Sequence, residues 1–328
     1  MTKRPGRRPA HEPPPPVEWR DGVHIMKTPI WCDARRTREA CFISHAGIPE
    51  ARRHKQVIAT DVTIALLGRR LRALTAPYGR PFNLGKARLE LFPSGAMVGA
   101  ASLLVEIDRR IVYAGAVDPR PGRLPGPAEV RGCDVLVLDA TYGHPRFRFP
   151  PAAETLARAR AWVDARAAAG DTPVLLADPL GVGLDLVAEL GATYRVRVQR
   201  GVHEAARKLP GLGFRLPPVS RFSGTPGPGE VVLWPPSGRA APAIARIARA
   251  RVALVGAGDA ERAGAEIAFP LVGAADFAGL VEVVDKSGAK IVYLLGGASA
   301  ELQDALKARG VDARPLGPPE QLALHQFL

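Results

Sequence analysis

The sequence predicts an α/β fold, and three patterns support that prediction. The first half of the chain is a series of short apolar segments rich in β-branched and aromatic residues, which is typical of β-strands. After Pro150, helical and strand patterns alternate, which favours βαβ units around a parallel sheet. Between these two parts, residues 134–143 (DVLVLDATYG) form a continuous apolar run, which indicates a strand buried on both faces.

In the strand-rich part, the elements can be assigned in order. Residues 1–18 are basic, rich in proline and poor in apolar side chains, and are predicted to be a disordered tail, so that ordered structure begins near Trp19. Strands are predicted within residues 23–34, 39–47, 54–60, 87–95, 101–108 and 110–117. Thr60 or Asp61 can cap a helix over residues 61–76, in which apolar side chains recur on one face. Residues 108–110 form a connection of hairpin length.

After Pro150, predicted helices and strands alternate along the chain. Helices are predicted at residues 152–170, 182–191, 244–250, 277–288 and 298–310, and strands at 172–181, 251–258 and 290–297. Residues 210–240 are rich in glycine and proline and are expected to be irregular.

The composition is that of a soluble globular protein with a sizeable core. The chain has 328 residues, of which 47% are hydrophobic and 23% charged. No apolar run reaches the roughly 18 residues that a membrane helix needs, and the N-terminus lacks the apolar segment of a secretory signal. Three isolated cysteines fit neither a disulfide framework nor a zinc ribbon. These features predict a cytoplasmic protein without a membrane partner.

The net charge is +13, and residues 1–80 contain 16 Lys/Arg against 7 Asp/Glu. This asymmetry suggests a polyanionic partner such as RNA or single-stranded DNA. The alternative is coding bias, because arginine greatly outnumbers lysine and alanine, glycine and proline are abundant. Six basic residues on two neighbouring loops are the candidate nucleic-acid contacts: Arg35, Arg36, Arg38, Arg52, Arg53 and Lys55.

Ten short segments, in this order, resemble the β-CASP branch of the metallo-β-lactamase superfamily. They are DAR, ISHAG, VIATDVTIAL, LFPSGAMVGAASLLVEI, RIVYAGAV, DVLVLDATYG, FRFPP, LLADPLGVGLDL, GAADFAGL and YLLGG, and they extend from about Gly22 to the C-terminus. The nearest resemblance is to ligase-associated DNA exonucleases and messenger-RNA 3′-end processing factors. It implies an αββα sandwich formed by residues 19–150 and 245–328, with an inserted β-CASP domain at residues 150–245.

The resemblance also implies a site for two zinc ions, which need about seven side-chain ligands. Such nucleases use an HxHxDH loop, an A-G-H segment, a Y-x-G-D segment and two late histidines. At these positions the chain retains His45 and has Glu50 as an unorthodox substitute. The other ligand positions carry residues without a metal-binding side chain: Gly47, Pro49, Ala96, Ala116, Ala274 and Gly296. No metal cofactor is therefore expected, although the family implies zinc.

Two carboxylates match further family positions, Asp139 in LDATYG and Asp276 in GAADF, and both are expected to have structural roles such as binding loop amides. A catalytically inactive relative that binds nucleic acid, or that serves beside an active nuclease or ligase, is the predicted function. An exonuclease or hydrolase with an altered metal site around His45 and Glu50, and a scaffold without nucleic acid, remain as alternatives. A new mononuclear site among the histidines and cysteines of residues 24–54, and a dinucleotide loop at residues 256–264, have no recognised ligand spacing in their favour.

Overall fold

The computed structural model describes residues 14–68, 71–238 and 242–318. The strands in these ranges are β1 (Val17–Trp19), β2 (Val23–Ile25), β3 (Ile30–Cys32), β4 (Ala40–Phe42), β5 (Val57–Ala59), β6 (Ala73–Thr75), β7 (Phe82–Leu84), β8 (Ala87–Pro93), β9 (Ala101–Glu106), β10 (Arg110–Gly115), β11 (Val135–Asp139), β12 (Thr172–Ala177), β13 (Arg195–Val198), β14 (Ser220–Arg221), β15 (Glu230–Trp234), β16 (Ala250–Val255), β17 (Ile267–Phe269), β18 (Ile291–Leu295) and β19 (Asp312–Pro315).

The α-helices are α1 (Asp61–Leu67), α2 (Ala152–Ala168), α3 (Val182–Leu190), α4 (Arg200–Lys208), α5 (Pro242–Ala245), α6 (Phe277–Ser287) and α7 (Ala300–Lys307). Short 3₁₀ helices lie at Pro49–Arg53, Leu209–Leu212 and Pro236–Gly238. No helix in the described ranges is long and apolar enough to cross a membrane.

Two sheets pack face to face, and together they contain strands β1–β11, β18 and β19. They are called the two-sheet part below. The first has the order β1-β2-β3-β4-β5-β6 and the second β19-β18-β11-β10-β9-β8-β7. Their facing side chains, such as Phe42, Ile58 and Leu103, form one buried cluster. The outer face of the second sheet is covered by α6 and α7, and the outer face of the first packs with Leu67 of α1. The architecture is therefore mixed α/β, as the sequence predicts.

The third sheet is parallel throughout and has the order β14-β13-β15-β12-β16-β17. Its inner strand β12 is buried on both faces. Leu175 packs with the cluster that includes α2, α3 and α4, whereas Val174 and Leu176 pack with Ile244 of α5 on the opposite face. This alternation follows from the two-residue period of a strand, and it explains why residues 173–177 of β12 are all apolar.

Three sequence-based boundaries need correction. The predicted insertion ends at residue 245, but β16 pairs with β12 and β17 pairs with β16 in the third sheet. The part of the chain built on this sheet, from α2 to Phe269 of β17, is called the third-sheet unit below. The predicted tail reaches residue 18, but Val17 is buried and begins β1; residues 1–13 lie outside the described residues. The helix predicted over residues 61–76 ends at Leu67, because Gly68 takes a positive φ of 97° and Ala73–Thr75 pair with β5. Arg69 and Arg70, within that prediction, also lie outside the described residues.

Other predicted elements are confirmed. β11 lies between β10 and β18, with Val135 and Val137 in one buried cluster and Leu136 and Leu138 in another. Residues 107–109 join β9 and β10 as an antiparallel hairpin. Thr60 caps α1, because its hydroxyl accepts a hydrogen bond from the Thr63 amide at 3.1 Å.

Candidate functional site

A cavity of about 990 Å³ lies where loops of the two-sheet part meet loops of the third-sheet unit. Its wall from the third-sheet unit comes from the segments that follow β12, β15 and β16, all at the carboxyl ends of parallel strands. Ligand crevices of open α/β sheets lie at this edge. The lining residues used below are His45, Ala96, Ala116, Tyr142, Asp178, Asp259, Arg262 and Ala274.

Four of the positions that the resemblance assigns to metal ligands share one cavity: His45, Ala96, Ala116 and Ala274. Gly296, another of those positions, is not part of the lining. It lies at the end of β18, where an added Cβ would be 2.5 Å from the Thr141 Oγ1 and 2.7 Å from the Asp139 Oδ1. Its φ of 77° is also strained for any residue with a side chain. A histidine does not fit at position 296 in this backbone conformation.

Ser44, the residue before His45, is held in place by a carboxylate from the neighbouring loop. Asp33 accepts hydrogen bonds from the Ser44 amide at 2.8 Å, from the Ser44 hydroxyl at 2.5 Å and from the Tyr113 hydroxyl at 2.9 Å. Burial, followed by the charge of Asp33, raises the pKa of Tyr113 well above its usual value, so the phenol remains a donor to Asp33. The His45 Nδ1 then accepts the Gly47 amide at 3.1 Å. The lone pair of Nδ1 is thereby engaged by a hydrogen bond within the same loop.

A network of two arginines and two aspartates fixes the loops that carry Ala96 and Ala274. Arg123 donates to the carbonyls of Gly95 and Ala96 at 3.2 and 3.0 Å. Arg120 donates to the carbonyls of Val272 and Ala274, each at 3.0 Å. The loop positions that line the cavity are thus held by guanidinium–carbonyl hydrogen bonds.

The same network joins the two parts of the chain. Asp118 accepts Arg120 at 2.8 Å and lies 3.4 Å from the Arg123 Nη1. Arg123 also pairs with Asp185 of α3 through Nε at 2.9 Å and Nη2 at 2.8 Å. The Arg123 and Asp185 side chains are each 1% exposed. Burial raises the pKa of Asp185, and the charge of Arg123 opposes this effect. Sequence reasoning missed this network because charged residues in a Pro/Gly-rich loop are usually solvated, and no residue spacing indicates their burial.

The two carboxylates that match further positions of the resemblance bind backbone amides. Asp276 caps α6, accepting the Gly279 amide at 3.0 Å, and its other oxygen accepts the Phe149 amide at 2.8 Å. Asp139 accepts the amide and the hydroxyl of Thr141 at 2.9 and 2.6 Å. Neither residue lines the cavity.

The cavity does not have the donor set of a two-zinc centre. Its ionisable lining consists of His45, Tyr142, Asp178, Asp259 and Arg262. The two aspartates already accept backbone amides, Asp178 from Gly181 at 2.6 Å and Asp259 from Arg262 at 2.9 Å. Pro49 and Glu50 lie in a 3₁₀ helix, and neither lines the cavity. Within the described residues, no three His, Cys, Asp or Glu side chains are grouped as metal ligands are.

The six basic candidates do not line the cavity, and four of them have partners within the protein. Arg36 pairs with Asp21 at 2.9 Å, and Lys55 pairs with Glu39 at 2.6 Å. Arg38 donates to the Arg20 carbonyl and stacks 3.5 Å from the centroid of the Trp31 ring, while Arg52 donates to the Leu67 carbonyl.

The other two of the six are more open. Arg35 is exposed and lies 5.7 Å from the centroid of the Trp19 ring. Arg53 is exposed and has no hydrogen bond or ion pair to the part of the chain that the structure describes. Contact of these six residues with nucleic acid stays a prediction.

Comparison with known proteins adds two relatives and one fold. No family model matches the chain. A "Probable DNA ligase" from Opitutus terrae is 27% identical over 321 residues, which cover 94% of this chain and 32% of that ligase. An "RNase J-like protein" from Methanocaldococcus jannaschii is 32% identical over 74 residues, covering 22% of this chain and 17% of that protein. The chain thus spans less than a third of the length of either relative. Their names point to a nuclease- or ligase-associated family.

A solved structure of a protein of unknown function from Enterococcus faecalis V583 has a similar fold. Its TM-score to this chain is 0.58 at 11% identity, and the match covers 86% of this chain and 80% of the other.

Proposed function

We propose that this chain is a metallo-β-lactamase-fold protein of the β-CASP type without a working metal site, and that it binds single-stranded DNA or RNA beside a DNA ligase without cutting it. In this proposal the two facing sheets and their outer helices are the αββα sandwich. The β-CASP insertion is the third-sheet unit, which extends from α2 to β17.

One observation carries the proposal: four of the family's ligand positions meet in one cavity, yet three of them are alanines. Alanine has no lone pair to offer a metal, and the histidine that remains at position 45 uses its Nδ1 within its own loop. A zinc ion lowers the pKa of bound water from 15.7 to about 7. A histidine acting as a general base contributes only about 10²–10⁴-fold, so His45 does not replace that chemistry.

The association with a ligase has separate support. In the Opitutus terrae relative, the segment that aligns with nearly all of this chain is one part of a much longer protein named as a DNA ligase. A separate chain of the same kind would bring nucleic-acid binding to a ligase by association. The basic charge of the chain, +13 overall, favours contact with a phosphate backbone.

Metal content, cleavage and binding, measured on one preparation, test this function. We expect less than one zinc, manganese or iron per chain by elemental analysis, and no cleavage of labelled single-stranded DNA or RNA. We expect fluorescence anisotropy to show binding that weakens with salt, with a log–log slope of about −0.7 per neutralised phosphate. Stoichiometric metal, or cleavage that is lost in His45→Ala, would instead support the altered hydrolase. If the protein does not bind nucleic acid at low salt, the result would support the alternative of a scaffold that does not bind nucleic acid.

A further inference from the structure

Next to the cavity, three aromatic rings pack on one another outside the hydrophobic cores. Tyr142 meets Phe147 and Phe149 edge to face, each with ring centroids 5.1 Å apart. All three side chains are partly exposed, and none belongs to any of the five buried clusters of the described chain. Tyr142 also lines the cavity. Rings that contribute to no core and remain open to solvent are available to a ligand.

Arginines alternate with these rings. Arg146 and Arg148 are exposed, whereas Phe147 and Phe149 between and after them are partly buried. The Arg146 guanidinium lies 4.8 Å from the centroid of the Phe147 ring. Within the described ranges, the Arg148 side chain has no hydrogen bond or ion pair. The segment therefore presents cationic groups and flat apolar faces side by side.

The acidic groups around this segment bind other partners and form no ion pair with Arg146 or Arg148 within the described residues. Asp139 and Asp276 accept hydrogen bonds from Thr141 and from the Phe149 amide. Glu301 lies 3.6 Å from the His144 Nε2. Residues 140–150 contain no acidic residue. An anionic ligand would meet two guanidinium groups that have no ion pair within the described residues.

We propose that residues 142–149 form a stacking platform for unpaired nucleotides, with bases against the rings of Phe147 and Tyr142 and phosphates against Arg146 and Arg148. Every base has a π-face, and arginines beside aromatic rings hold a single strand through both stacking and charge. The adjoining cavity gives space for a terminal nucleotide. This inference rests on the proposed nucleic-acid binding, and it adds contacts outside residues 1–80, the basic region that the sequence analysis favours.

The test uses the full chain and a fluorescently labelled oligothymidylate of about 15 nucleotides, within the range of single-strand site sizes. Phe147→Ala should weaken binding about 10- to 100-fold, whereas Phe147→Tyr, which keeps the ring, should bind within about threefold of the wild type. Arg148→Gln should weaken binding and reduce the salt slope by about 0.7. Arg200→Gln is the matched control, because Arg200 is an exposed arginine on α4, far along the chain and paired with Glu204.

A second measurement does not depend on the folding of any variant. Wild-type protein is titrated with oligonucleotides in which consecutive bases are replaced by abasic sites, and with a blunt duplex of the same length. Both should bind more weakly than the intact single strand, because neither offers an unpaired base. An oligouridylate of equal length distinguishes RNA from DNA as the source of that base.

The outcomes separate this platform from the proposed function. If the wild type binds single strands, but Phe147→Ala, Arg148→Gln and the abasic strands bind equally well, the platform is wrong and nucleic-acid binding stands. Equal affinity for duplex and single strand also overturns the platform. If the wild type binds no nucleic acid at low salt, the proposed function fails first, and a protein partner becomes the better explanation of the aromatic segment.

Discussion

Removing the Arg123 guanidinium should be among the most damaging single substitutions in this chain. Arg123→Met keeps most of the side-chain volume but leaves the buried Oδ2 of Asp185 without its two contacts at 2.8 and 2.9 Å. The Gly95 and Ala96 carbonyls lose their donor as well. Removing one partner of a buried ion pair costs about 3–5 kcal/mol, because the other charge remains buried and unpaired.

The free energy of unfolding can be measured by urea denaturation, followed by fluorescence of the four tryptophans. Arg88→Met is the control: Arg88 pairs with Glu106 at 3.1 Å but is 57% exposed, and such surface pairs contribute about 0–1 kcal/mol. The double variant Arg123→Met/Asp185→Leu should recover part of the loss, since it removes both charges. A loss below about 1 kcal/mol for Arg123→Met, equal to the control, would refute the idea that this network holds the cavity loops together.

The pH dependence gives a further check on the same variant. Burial already raises the pKa of Asp185 above that of an ordinary aspartate, and loss of Arg123 should raise it further. A carboxyl with a raised pKa in the folded state is neutral there at pH values where the unfolded chain has released its proton. Stability is therefore lost as pH rises from the unfolded pKa through the folded pKa. The defect of Arg123→Met should be smaller at pH 5 than at pH 8.

Three more predictions follow from individual side chains. Gly296→His should lower stability by about 1–3 kcal/mol and bind no zinc, because the Cβ would lie 2.5 Å from the Thr141 Oγ1 at a positive φ; thermal unfolding and elemental analysis measure both effects. Asp276→Ala should cost about 1 kcal/mol by removing the N-cap of α6, and Asp276→Asn should cost less because an amide oxygen still accepts the Gly279 amide; denaturation midpoints distinguish the two. Burial lowers the pKa of His54 in the folded state from 6.5, so the contribution of His54 to the free energy of unfolding should be fully present above pH 6.5 and be lost as the pH falls through the folded pKa. His54→Asn, whose side-chain oxygen can still accept the Arg38 amide, should not show this loss in denaturation experiments.

The sequence predicted elements whose signal is local. β11 was predictable because burial on both faces leaves only apolar residues between Asp134 and Asp139. The end of α2 was predictable within two residues, because Gly170 takes a φ of 73° just beyond it. Similarly, four predicted site positions lie together because each follows a recognisable segment of the chain.

What the sequence did not predict depends on partners far apart in the chain. Arg38 and Arg52 donate to the backbone carbonyls of Arg20 and Leu67, which lie 18 and 15 residues away, and no local pattern indicates these contacts. Arg123 and Asp185 are 62 residues apart, and nothing near either residue indicates that they neutralise each other in the interior. The extent of the third-sheet unit was missed because β16 has the same apolar pattern whether it joins one parallel sheet or another.

The pairing of β11 with β18 has a consequence for the order in which the molecule assembles. These neighbours in the second sheet are separated by about 150 residues, which include the entire third-sheet unit. During synthesis, β8, β9 and β10 can form hairpins early, but the open edge of β11 must wait until β18 leaves the ribosome. Rapid formation of the third-sheet unit would bring the two ends of this long connection together. Substitutions that slow its folding should therefore leave an exposed strand edge and promote aggregation of the nascent chain, even when the mature protein is stable.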